Sequence, residues 1–153
     1  QPYRIFTSIF VHADLNHLLS NLGGIIITRY FLMRLGIESR FFYLKFILIC
    51  PFLNFIILWF CEKILLYFFN IYPNYTSLGF SGIIYALLGF LLLTSFYGKT
   101  YFLGKKIGLK SNNEVQKMLK IICFIGLIFS FSPGVSLLGH MTGFISGCFL
   151  FLI

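Results

Sequence analysis

Five apolar runs, each near the length of a membrane crossing, divide this chain. A helix needs about 20 apolar residues to cover the hydrocarbon core of a bilayer. The runs at 17–35, 41–60, 81–97, 118–132 and 137–153 meet or approach that length. A shorter piece, 64–72, cannot cross and is expected to be re-entrant or interfacial. Composition agrees with this reading. Hydrophobic residues make up 59% of the 153 positions and charged ones 10%, against roughly 45–50% and about 25% in soluble domains. Too few polar side chains remain to cover a soluble core. The expected fold is an all-α membrane protein of one domain, residues 1–153, with the lipid bilayer as its solvent.

The first residue is Gln1, and the last five, Phe149 to Ile153, are apolar. The domain is therefore expected to be truncated at both ends. No segment has the form of a signal peptide. The net charge of +8 would suggest nucleic acid in a soluble protein. In a membrane protein it marks the connections that stay in the cytoplasm. Arg34, Arg40 and Lys45 flank the first connection, and six lysines between Lys99 and Lys120 crowd the third. The 62–80 stretch has one basic residue, Lys63, and 131–139 has no charge. The first, third and fifth runs are thus expected to begin on the outer side, which gives a multi-pass protein with no nucleic-acid partner. Cys50, Cys61, Cys123 and Cys148 lie in or beside apolar runs without paired spacing. They read as small buried hydrophobes, and no metal or cofactor site is expected.

The orientation places unusual polar residues at one depth. His17 and Asn21 fall at the outer end of the first run, Ser81 at the outer end of the third, and His140 at the outer end of the fifth. Polar side chains are costly in a membrane and face the bundle or water. His17 and Asn21 are i and i+4, so one helix face carries both. Both can aim N–H donors at one point, as an oxyanion hole requires. Ser81 heads its helix, beside free backbone N–H groups and the positive dipole end. Tyr85 lies one turn further on the same face, where it can support an imidazole. Gly82, Ala86 and Gly89 form one small-residue stripe, and Gly139, Gly143 and Gly147 another. Such stripes let helix backbones approach. Close packing of these two helices would bring Ser81 Oγ within hydrogen-bond reach of His140, as a nucleophile and its base require. Asp14 reads as a helix cap. Pro51 and Asn54 in the second run suggest a kink and an interhelical hydrogen bond. The Pro and Gly of "SFSPGVSLLG" fit a loop that caps or gates the site.

Four pieces together resemble the rhomboid family of intramembrane serine proteases. "QPYR" is similar to the Trp-Arg stretch of its first outer loop, with Tyr3 in place of Trp. "HADLNHLLSN" resembles its His-x4-His-x3-Asn signature. "GFSG" resembles its GxSG nucleophile motif, and "GHMTGFISG" its catalytic-histidine helix. The resemblance spans the whole chain. It implies a six-helix bundle with the first helix absent here and five spans present. It implies a Ser–His dyad, with Ser81 as nucleophile and His140 as general base. It also implies an oxyanion hole of His17, Asn21 and the Ser81 N–H. Tyr85 would stack on His140, Gly79 and Gly82 would permit the tight approach before the helix, and Gly143 belongs to the glycines below the histidine. His12 matches a structural histidine of the first outer loop. The implied reaction is peptide hydrolysis in or near transmembrane segments of other proteins, at a site facing the extracytoplasmic side. A relative that binds membrane clients without cutting them is the first alternative. A transporter is the second, but its polar residues would run through the full depth of the membrane.

Overall fold

The computed structural model describes residue 3, residues 7–71 and residues 80–153. Gln1, Pro2 and Arg4 of the "QPYR" stretch, and Gly79, lie outside the described residues. A 3-10 turn, Ser8–Phe10, precedes five helices. These are α1 (Leu15–Leu35), α2 (Phe42–Phe69), α3 (Ser81–Tyr97), α4 (Asn113–Phe129) and α5 (Leu137–Leu152). Between α3 and α4 lies an antiparallel hairpin of β1 (Lys99–Phe102) and β2 (Lys105–Leu109).

Three expectations need correction. The 41–60 run and the 64–72 piece do not separate, because one helix runs from Phe42 to Phe69. The Glu62-Lys63 pair does not break it; the Lys63 ammonium lies over the Trp59 ring one turn back, 5.8 Å from its centroid. The fourth helix begins at Asn113, five residues before the expected 118. Asn112 caps it, its Oδ1 accepting from Glu114 N and Val115 N at 3.0 Å each. The third expectation, an all-helical chain, omits the hairpin. Its two-residue turn, Leu103-Gly104, has positive φ at both positions (48° and 72°), the backbone that matches the twist of paired strands.

The hairpin fixes helix direction. Leu35 O, at the end of α1, accepts from Lys110 N, and Ser95 O, near the end of α3, accepts from Asn112 N. Phe151 O, at the end of α5, accepts from Lys99 Nζ. The other two helices begin at this end. Lys45 Nζ in α2 donates to Leu103 O at 2.6 Å, and Glu114 in α4 meets Arg34 at 3.5 Å. The helices therefore alternate in direction, and the starts of α1, α3 and α5 share the opposite end. At the hairpin end the fully buried rings of Phe42, Phe46, Phe90 and Phe102 pack together, with most centroid separations between 5.3 and 5.7 Å. Such tilted and edge-on contacts add to the area they bury.

α2 is long and apolar enough to cross a membrane, while the apolar helices α3 and α5 have 17 and 16 residues. Leu48, Phe52, Phe55, Ile56 and Trp59 of α2 are exposed. A continuous apolar face of this kind belongs in lipid rather than water.

Candidate active site

The site begins with a backbone contact between α3 and α5. A Cβ built at Gly143 would lie 2.5 Å from Gly82 O, and one at Gly147 would overlap Ala86 O. These pairs, each four residues apart, make the two helices parallel with their starts at one level. That level carries Ser81, the first residue of α3, and His140, the fourth of α5.

The His140 ring lies flat on Tyr85, with centroids 4.0 Å apart and planes 14° from parallel. Its Nδ1 is 2.7 Å from Ser130 Oγ, at the end of α4. Ser130 is buried at 2% exposure. Its Oγ donates to Gly126 O at 2.8 Å, and the Tyr85 hydroxyl donates to the same carbonyl at 2.6 Å. Tyr85 Oη and Ser130 Oγ are 3.0 Å apart. The ring is thus held on one face by a phenol and at one nitrogen by a hydroxyl. No hydrogen bond joins Ser81 Oγ to His140 among the described residues; the hydrogen bond that the ring makes is at Nδ1, to Ser130.

Phe80 caps α3, and its carbonyl accepts the first intrahelical bonds, from Ile83 N and Ile84 N. The Ser81 and Gly82 N–H groups come before those bonds, at the positive end of the helix. Gly82 is packed by the Asn54 amide of α2, whose Nδ2 would lie 2.8 Å from a Cβ there. The interhelical hydrogen bond expected of Asn54 does not form among the described residues, and its Oδ1 is buried without a partner.

α1 brings the remaining residues. Asp14 Oδ1 accepts from His17 N at 2.8 Å, so the carboxylate caps the helix that carries His17 and Asn21. His12 Nδ1 lies 3.2 Å from Phe10 O, and its ring meets His17 edge-on at 5.2 Å. Asn21 is 5% exposed, and its Nδ2 has no hydrogen-bond partner among the described residues. A buried donor without an acceptor is rare. Further down, Gly24 receives Ile84: a Cβ there would lie 2.9 Å from Ile84 Cδ1. Asn21 and Ser81 each lie three residues before this contact, on helices that run the same way.

A family model, the Rhomboid domain, matches residues 1–153. The chain belongs to the rhomboid family. Searches of curated proteins and of solved structures gave no match. Rhomboid membership makes this an integral membrane protein, and rhomboid domains are those of intramembrane proteases or their inactive relatives. Within this rhomboid domain, Ser81, Tyr85, His140, His17 and Asn21 all lie at the end opposite the hairpin. Ser130 opens the "SFSPGVSLLG" stretch, but nothing in the sequence assigns it a role of its own. It stands ten residues before His140 in no motif, and its one signal is that it closes an apolar helix beside a Pro-Gly turn.

Proposed function

We propose that the chain is an intramembrane serine protease that hydrolyses peptide bonds in or near transmembrane segments of other membrane proteins. The observation that carries this reading is the His140 ring, gripped by Tyr85 and Ser130 at the level where Ser81 opens α3. The bundle crosses the bilayer several times. The hairpin end, rich in Lys and Arg, faces the cytoplasm, and the polar end faces the extracytoplasmic side.

In the reaction, His140 takes the Ser81 proton as Oγ attacks the scissile carbonyl. The carbonyl oxygen becomes an oxyanion between the His17 and Asn21 side chains and the Ser81 N–H. The unpaired Nδ2 of buried Asn21 supports this role, since a preorganised donor is most useful where charge develops. His140 then protonates the leaving amine. Water enters with His140 again as base, and the acyl-enzyme is hydrolysed. Gly82 lets Asn54 and α5 come close to the start of α3, Gly143 lets α5 close on α3, and His12 orders the segment before α1.

A second reading, a client-binding relative without activity, has one observation in its favour: Ser81 Oγ and His140 share no hydrogen bond. Catalytic contacts are often long in a free enzyme and tighten with substrate. Cleavage of a single-span membrane substrate in proteoliposomes separates the two. Wild type is expected to cut and to label with a serine-reactive fluorophosphonate, and Ser81→Ala and His140→Ala to do neither. Wild type that neither cuts nor labels would leave the client-binding reading; cleavage surviving in Ser81→Ala would remove Ser81 as nucleophile.

A further inference from the structure

Gly126 O and three side-chain polar atoms form one cluster. The Tyr85 hydroxyl lies 2.6 Å from this carbonyl and Ser130 Oγ 2.8 Å from it, while His140 Nδ1 lies 2.7 Å from Ser130 Oγ. A carbonyl oxygen can only accept. Two oxygens this close with no proton between them would repel through their lone pairs. Each hydroxyl has one proton, and pointing both at Gly126 O covers the two shortest of the three oxygen–oxygen contacts, leaving only the 3.0 Å Tyr85–Ser130 contact without one. Ser130 then has only lone pairs left for His140, and a proton must stand on Nδ1. The reverse arrangement, with Tyr85 donating to Ser130 and Ser130 to Nδ1, leaves both short contacts to Gly126 O without a proton. It also spends the Tyr85 proton on the longest contact of the set, 3.0 Å.

We propose that Ser130 is the positioning residue of the His140 base, holding the ring in its Nδ1–H tautomer so that Nε2 carries the free lone pair. The catalytic part of this role rests on the reading of His140 as base; the tautomer does not. In the reaction the Ser81 proton moves to Nε2 as the Oγ–carbon bond forms, giving an imidazolium with a proton on each nitrogen. The Nδ1 proton stays on nitrogen and continues to donate to Ser130. Ser130 keeps its own proton on Oγ, donated as a hydrogen bond to Gly126 O. No charge moves beyond the imidazole. A neutral hydroxyl therefore occupies the place that an acidic side chain fills in triads, orienting the ring and selecting the tautomer.

The test has two readouts on the full-length protein in lipid bilayers. The first is the nitrogen-15 spectrum of histidine-labelled protein, with the His140 signals assigned by their loss in His140→Ala. Wild type is expected to show a protonated Nδ1 and a bare Nε2. A wild-type His140 with a bare Nδ1 and a protonated Nε2 overturns the proposal. The second is the steady-state kinetics of Ser130→Ala and Ser130→Thr. A buried N–H left without its acceptor has a cost that translates into a kcat loss of about 10- to 100-fold in Ser130→Ala. KM is expected to stay near wild type, and Ser130→Thr, which keeps the hydroxyl, to recover most of the rate. Ser130→Ala with wild-type kcat and an unchanged tautomer overturns the proposal, as does a kcat loss that Ser130→Thr does not recover while His140 keeps its tautomer in both variants. If Ser130→Ala fails to fold, the wild-type spectrum decides alone. A wild-type chain that cuts nothing but shows the Nδ1–H tautomer removes the protease reading and upholds the Ser130 contact.

Discussion

Gly143→Ala tests whether the site depends on the backbone contact beneath it. The added methyl would lie 2.5 Å from Gly82 O and 3.2 Å from Gly82 C and Cα. Real Cβ atoms essentially never come closer than 3.0 Å, so α3 and α5 must part by at least about 0.5 Å. The obstacle is helix backbone, so no side chain can swing away. Overpacking of this kind costs about 1–3 kcal/mol. The effect on rate should exceed the effect on stability. His140 is three residues from Gly143 and Ser81 adjoins Gly82, so the same displacement opens the space between base and nucleophile. A misplacement near 1 Å can cost about 100-fold in rate. The expected result is a loss of about 10- to 100-fold in cleavage, with slowed fluorophosphonate labelling and a lowered unfolding temperature in detergent. Gly23→Ala is the control. No atom lies within 4 Å of its added methyl, and alanine favours helix by up to about 1 kcal/mol over glycine. It should be neutral or slightly stabilising. A Gly143→Ala protein that melts and cuts like wild type would refute the dependence on close α3–α5 contact.

Two further substitutions separate function from fold on α1. Asn21→Ala removes a buried amide whose Nδ2 has no partner among the described residues. It should lower cleavage by roughly 100- to 1000-fold while the unfolding temperature holds or rises; a lowered melting point with unchanged cleavage would deny it the oxyanion. Asp14→Ala removes the cap on His17 N and should cost about 1 kcal/mol of stability, read by thermal unfolding, with a smaller loss of rate than Asn21→Ala.

The sequence made some of this architecture legible and hid the rest for physical reasons. The third helix runs 81–97 as its apolar run indicates, and Gly98, at a φ of 69°, ends it. α1 starts two residues before the expected 17, since Asp14 rather than hydropathy sets its start. Hydropathy failed where a helix continues through charge. Glu62 and Lys63 look like a loop, yet they sit inside α2. Asn113, Glu114, Gln116 and Lys117 are polar, yet they open α4 on the Asn112 cap. The hairpin was hidden for another reason. Its turn places Leu103 at positive φ, where side chains other than Gly, Asn and Asp are uncommon. The pairing of Tyr85 with His140 could be read from helical spacing plus a resemblance. The grip of Ser130 on His140 could not, because it joins the end of one helix to the start of the next across a turn with no motif.

The packed core and the proposed chemistry occupy opposite ends of the bundle. At the hairpin end, Phe42, Phe46, Phe90 and Phe102 are buried to 1% exposure or less, and strand and helix termini exchange hydrogen bonds. The other end has the three side-chain atoms that are buried without partners among the described residues: His12 Nε2, Asn21 Nδ2 and Asn54 Oδ1. Each is a cost that apolar packing at that position would not carry. His12 and Asn21 lie on the helix face and leading segment beside the site, and Asn54 backs the glycine next to Ser81. Such costs persist where surrounding structure over-determines the position. Here that determination is the glycine contact of α3 with α5, anchored far away by the aromatic cluster. A domain built this way can keep unsatisfied polar atoms in place without softening, because the residues that hold it together are not the residues proposed to react.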